Sequence, residues 1–160
     1  LKVLQITHHH NNPLGGGGIE KNPSGLTKLG FEAVERLNSL NIIPDLSHAS
    51  DFTALDVLKT SKKPVILSHG AVRAIVQNAR CAPDEVIRGI ANSGGVMGIF
   101  MMSFWLTYNP VPTVDDLINN LKHVIKVGGI DAVGIANDFP LDGEANLIAA
   151  KNNNAEAVKN

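Results

Sequence analysis

The chain has 160 residues, 44% of them hydrophobic and 18% charged, with a formal net charge of −1. Such a composition is ordinary for a globular chain long enough to bury one modest core. The near-neutral balance argues against a nucleic-acid partner or a polybasic membrane-binding surface, and no apolar run approaches the roughly 20 residues that cross a bilayer.

Cys81 is the only cysteine, so no internal disulfide is available and the redox compartment stays open. Leu1 falls inside an apolar run with no signal-like segment before it, and residues 151–160 are polar with no closing signal. Both ends read as cuts in a longer chain, leaving targeting open. Residues 1–160 are expected to be the C-terminal part of a single barrel domain.

In chain order, residues 3–7 form a short apolar strand that runs into His8, His9 and His10. Residues 13–23 are glycine-rich and must form a loop. Leu26, Leu29, Ala33, Val34, Leu37 and Leu40 recur at helical spacing. Residues 42–46 predict a second strand, and Ser50 caps a helix from Asp51 to about Lys59. Residues 64–68 predict a third strand. Pro83, Asp84 and Glu85 open a helix whose apolar stripe is Val86, Ile87, Ile90 and Ala91. Residues 95–100 predict a fourth strand. Thr113 and Asp116 form a capping box with a shorter acid, opening a helix that stops at Gly128-Gly129. Residues 132–136 predict a fifth strand.

Strands alternate with helices, and the strands are continuous apolar runs, the pattern of a parallel sheet buried on both faces. Four strands end in polar residues: His8, Ser47-His48, Ser68-His69 and Asn137-Asp138. In a parallel sheet these ends share one side, and in a barrel they converge on one mouth, where barrel active sites are built. That convergence favours a (β/α)₈ barrel over an open doubly wound sheet.

His48 and His69 leave successive strands in the same Ser-His context, a good placement for two imidazole metal ligands. Each could instead be a buried histidine satisfied by a carbonyl. Asp138 could be a ligand, a general base beside a metal-bound water, or a helix cap. Arg80 could clamp a substrate carboxylate with its planar fork, or be a solvated loop residue. Adjacent residues on an extended chain point opposite ways, so of the three histidines His8, nearest the strand end, is chosen. His123 reads as structural or solvated, and Cys81 as inert. Glycines 15–18 lack the GK[ST] or strand-GxGxxG-helix context of a phosphate loop.

The run Asp45-Leu46-Ser47-His48-Ala49-Ser50, then Pro64-Val65-Ile66-Leu67-Ser68-His69, then Arg80, Pro83-Asp84 and Val133-Gly134-Ile135-Ala136-Asn137-Asp138-Phe139 resembles the renal (membrane) dipeptidase family. Residues 25–30 look like that family's helix entry, and the resemblance spans about residues 4–139. It implies a (β/α)₈ barrel of which this chain supplies about strands 4–8, with two Zn²⁺ ions in its mouth. His48 and His69 would bind one ion. Arg80 would hold the dipeptide's C-terminal carboxylate, His8 the scissile carbonyl or its oxyanion, and Asp138 would be the acid/base residue. The activity implied is hydrolysis of dipeptides, often with a D-residue at the C-terminal position, by a hydroxide held by zinc.

Two departures stand out. The family's His-x-Asp pair for the other zinc and its bridging glutamate have no counterpart here, since the chain begins at about the fourth strand. Residues 139–143 replace the usual Phe-Asp-Gly continuation with Phe-Pro-Leu-Asp-Gly. The partners expected are a dipeptide, the missing barrel half and a second copy in a homodimer. These residues alone are expected to leave open sheet edges and to lack activity. The rival readings are another metal-dependent barrel hydrolase (lactonase, phosphotriesterase or deaminase type) and a non-catalytic binding homologue.

Overall fold

The structure, a computed structural model, describes residues 1–138. Its elements are β1 (Val3–Gln5), α1 (Lys28–Ser39), β2 (Ile43–Asp45), α2 (Asp51–Thr60), β3 (Leu67–Val72), β4 (Cys81–Ala82), α3 (Asp84–Asn92), β5 (Met97–Ile99), α4 (Ser103–Leu106), α5 (Val114–Gly128) and β6 (Val133–Ile135). Every strand pairing is parallel. β1 pairs with β2, a parallel bridge from Asp45 to Ile66 carries β2 on to the start of β3, and β3, β5 and β6 follow. The result is an arc of a parallel α/β barrel wall, with helices packed outside it. Among the described residues β1 and β6 pair on one side only.

Local sequence explains the helices. Thr27 accepts the Gly30 N–H at 3.1 Å and Ser50 accepts the Thr53 N–H at 3.1 Å, each satisfying a donor that a first helical turn leaves free. Pro83 precedes α3, whose Val86, Ile87 and Ile90 are fully buried. Successive helices α1, α2, α3 and α5 pack side by side. Between them and the strands lies the core, with Val34, Val57, Ile87 and Val124 facing Leu46, Val65, Met97 and Ile99. Leu29 and Leu40, placed on the apolar stripe of α1 by spacing, are instead half exposed; Val34 and Leu37 carry the contact. No helix among the described residues is long and apolar enough to cross a membrane.

The third strand is displaced from its expected span of 64–68. Pro64 has no N–H to give, and the Val65 N–H goes to Ser93 Oγ at 3.1 Å. The strand begins at Leu67 and runs through His69 to Val72, because the short β4 pairs with Ala71 and Val72. His69 therefore sits inside a paired strand. The residue 139–143 departure and the polar segment 151–160 lie outside the described residues.

Helix α5 carries the expected capping box: Asp116 accepts the Thr113 N–H at 2.8 Å. That backbone bond, foremost, and hydroxyl bonds from Thr107 and Thr113 hold the Asp116 carboxyl below its ordinary 3.8. A depressed carboxyl stabilises the fold fully above the unfolded value and loses its contribution as pH falls through the folded one. Asp116→Asn is expected to lower the melting temperature by a constant amount at pH 5–8. As pH falls from 3.8 the gap should shrink, closing only below the lower folded-state value, where the wild-type acid is neutral in the fold as well. A gap that persists at low pH would contradict this account.

Candidate metal centre at the strand ends

Parallel pairing brings the C-terminal ends of β1, β2, β3 and β6 to one side, and the polar residues meet there. His48 follows β2, while His69 sits in β3. Their Nε2 atoms are 3.0 Å apart. An Asp138 carboxylate oxygen lies 3.7 Å from His69 Nε2, with its side chain 43% exposed. Ligand atoms of His48, His69 and Asp138 fall within 4.8 Å of one another.

The backbone of His48 is unusual. Its φ of 67° lies in the left-handed region, which a histidine adopts at some energetic cost. The neighbouring glycine loop holds it there. The Gly18 N–H donates to the His48 carbonyl at 2.7 Å, and Gly17 bridges Ala49. A Cβ on Gly16 would collide with the Ser24 backbone, and one on Gly17 with the His9 backbone. The glycine run is thus a close-packed floor beneath the histidines, a use its sequence context did not disclose.

Burial first, then the Arg80 charge and the neighbouring histidines, lower the His48 pKa to about 3. Burial likewise lowers that of His69, with Asp138 opposing. Both imidazoles are therefore neutral at ordinary pH, the form that binds metals. This donor set fits a cation. Two imidazole nitrogens at 3.0 Å are close enough for one ion to touch both at the usual 2.0–2.1 Å or so for zinc and nitrogen. The Nδ1 of His48 is buried without a hydrogen-bond partner.

Arg80 is only 6% exposed. Its Nη2 points to His48 Nε2 at 3.3 Å, and its guanidinium carbon lies 5.2 Å from the Trp105 ring centre and 5.8 Å from that of Phe100. Phe100 and Trp105 stack almost parallel, 5.1 Å apart. No carboxylate among the described residues lies within ion-pairing distance of this guanidinium, and its Nε has no partner. The more distant charges of Asp138 and Asp45 offset this buried cation in part, and an entering anion would add a direct partner.

His8 stacks on His48 with ring centres 4.3 Å apart. The His9 ring also packs against His48, tilted by 50° with centres 4.6 Å apart, which departs from the expectation that adjacent residues here point opposite ways. Alternation holds only for extended chain, and these residues lie past the end of β1, where the backbone bends. His8, His9 and His48 form a second group of ligand types within 4.8 Å. His10 turns away to Glu20 at 3.1 Å, and His123 pairs with Asp84 at 2.7 Å on the outer helices. Cys81 is buried and its thiol is pushed up to about 11, chiefly by desolvation, consistent with an inert role.

Two residues beyond the sequence-derived set support the site. Asp45 is buried at the end of β2 and accepts from Ser47 N, Ser68 N and the Ser68 hydroxyl. Asn120, fully buried on α5, accepts the Val72 N–H at 3.0 Å and donates to the Leu106 carbonyl at 2.9 Å, tying α5 to β3 and α4.

Comparison with known proteins agrees with this picture. The family model for membrane dipeptidases (peptidase family M19) matches residues 1–157. Dipeptidase 3 of Macaca fascicularis is 35% identical over 135 residues, 84% of this chain and 26% of that protein. A crystal structure of an amidohydrolase from Pseudomonas aeruginosa superposes with a TM-score of 0.83 at 32% identity, covering 90% of this chain and 44% of that one. A metallopeptidase from Rhodobacter sphaeroides, solved with a phosphinate mimic of the dipeptide L-Ala-D-Ala, matches with a TM-score of 0.79 at 26% identity, covering 87% of this chain and 42% of that one. The chain spans between about a quarter and just under half the length of these relatives.

Proposed function

The chain belongs to the membrane dipeptidase family, peptidase family M19, and on that premise we propose that the protein is a zinc-dependent dipeptidase. The observation that carries the reading is the meeting of two neutral imidazole Nε2 atoms and the Asp138 carboxylate at one point of the barrel mouth. His48 and His69 are the residues that would hold one ion of a two-zinc site. Zinc bound there would supply Lewis-acid charge and a water acidified to about pKa 7.

The chain's own groups divide the remaining work. Arg80, buried and with no carboxylate among the described residues in ion-pairing distance, holds the dipeptide's C-terminal carboxylate through its fork. That anchors the scissile bond, so attack becomes a positioned, nearly unimolecular event. His8, stacked on His48, hydrogen-bonds the scissile carbonyl as its oxygen gains charge. Asp138, partly exposed beside His69 Nε2, takes the proton of the attacking water and passes it to the leaving amine. The Phe100–Trp105 stack keeps water from the guanidinium and strengthens its hold on an anion.

The phosphinate dipeptide mimic held by the Rhodobacter relative supports dipeptides as the substrate class. A panel of dipeptides, lactones and N-acyl amino acids tests the reading on the full-length protein. Dipeptides, including L-Ala-D-Ala, should be turned over best. Preference for lactones would transfer the site to another barrel hydrolase class.

A further inference from the structure

We infer that Asp45 and Ser68 form a positioning relay that fixes the proton of His69 on Nδ1 and leaves the Nε2 lone pair facing the metal position. This deepens the reading above and rests on it for the role of His69.

The inference follows from counting protons across three buried or half-buried side chains. Ser68 Oγ has three neighbours: Asp45 Oδ2 at 2.6 Å, His69 Nδ1 at 2.9 Å and Ser47 Oγ at 2.9 Å. It owns one hydrogen and two lone pairs. Asp45 is surrounded by donors: its Oδ1 accepts the Ser47 N–H at 3.0 Å and the Ser68 N–H at 2.9 Å. A carboxylate so placed only accepts, so the Ser68 hydrogen must point to Oδ2, the shortest of the three contacts. Two lone pairs remain on Ser68 Oγ. Ser47 Oγ accepts the His69 backbone N–H at 3.0 Å, which leaves its own hydrogen free to point to Ser68. The last neighbour, His69 Nδ1, must then be a donor. Every donor in the chain has one acceptor, and no other arrangement satisfies all of them.

The consequence lies at the other end of the ring. With the hydrogen on Nδ1, His69 Nε2 carries a lone pair and faces His48 Nε2 at 3.0 Å. Arg80 Nη2 also approaches His48 Nε2, and an arginine can only donate. Neither ring then places a proton between the two Nε2 atoms, and a cation that took the His48 lone pair in place of the Arg80 N–H would resolve the contact. Carboxylate-to-histidine support of this kind fixes tautomer and ring orientation at metal centres. Here the support passes through a serine hydroxyl and crosses from β2 to β3.

Asp45→Asn is the sharpest probe. Its carbonyl oxygen keeps the two backbone bonds, while its NH₂ donates to Ser68 Oγ and reverses the chain. The Ser68 hydrogen then points to His69 Nδ1, and the ring proton moves to Nε2, where it blocks the metal. The measurement is two-dimensional ¹⁵N–¹H NMR of histidine-labelled, metal-free, full-length protein at pH 8, with zinc affinity from competition against a chromophoric chelator. Wild type should show a protonated Nδ1 on His69. Asp45→Asn should show a protonated Nε2 and bind zinc roughly 10–100-fold more weakly. Ser68→Ala should weaken zinc similarly, and Ser68→Thr, which keeps the hydroxyl, should restore both tautomer and affinity; these two serve if Asp45→Asn fails to fold. A wild-type His69 protonated on Nε2, or variants with unchanged tautomer and affinity, would overturn the relay. Wild-type protein with Nδ1 protonated but no zinc binding would leave the relay standing and remove the metal assignment instead.

Discussion

Replacing His48 by Ala in the full-length protein is expected to cut dipeptide hydrolysis by roughly a thousandfold or more, through loss of the metal's contribution. Metal charge at a transition state supplies several kcal/mol, and each 1.36 kcal/mol is about tenfold in rate. His48 contributes one of two nitrogens 3.0 Å apart, so its removal leaves the ion with a single imidazole from this cluster. The loss must be separated from unfolding, and the backbone supplies the control. At φ 67° an alanine is strained as the histidine is, whereas glycine is not. His48→Gly should therefore be as inactive as His48→Ala yet more stable by about 1 kcal/mol. Circular dichroism melts and zinc content of the two variants check both halves. Full activity in either variant would sink the assignment of His48 as a ligand.

The second large effect concerns Arg80. A buried guanidinium with an unpartnered Nε and, among the described residues, no carboxylate within ion-pairing distance is an unfavourable thing to fold around. An entering carboxylate resolves it, so Arg80→Ala should reduce kcat/KM for dipeptides by roughly a hundredfold, about 3 kcal/mol, mostly through KM. Arg80→Lys should recover little, because a point charge lacks the fork and the flat face presented to Trp105. Arg80→Met should be at least as stable as wild type while remaining a poor enzyme. The discriminating substrate is a dipeptide with its C-terminal carboxylate converted to an amide. Wild type should discriminate strongly against it, and Arg80→Ala should not. Equal discrimination by both proteins would remove Arg80 from carboxylate binding.

Much of this arrangement was legible in the sequence because barrel chemistry is written at strand ends. His8, His48 and Asp138 follow apolar runs, and parallel pairing alone brings them to one side. The caps at Ser50 and Thr113 were equally readable, since they depend on residues three apart. What escaped depends on contacts between distant segments. The span of β3 was misplaced because its end is fixed by the two residues of β4, which carry no strand signal of their own. The orientation of His9 was missed because the chain stops being extended just before it. Asp45 stood inside the quoted motif, but its partners lie two residues beyond the end of its own strand and on the next one. Asn120 reads as a polar residue on a helix and is instead a fully buried tie between α5, β3 and α4.

The most direct measurement of the central claim is L-Ala-D-Ala hydrolysis by the full-length protein before metal removal, after exhaustive chelation, and after zinc is returned. The site geometry predicts turnover that vanishes with the metal and returns with zinc, at a stoichiometry that falls when His48 or His69 is replaced. Turnover that survives complete metal removal, or no turnover with zinc bound, would contradict it.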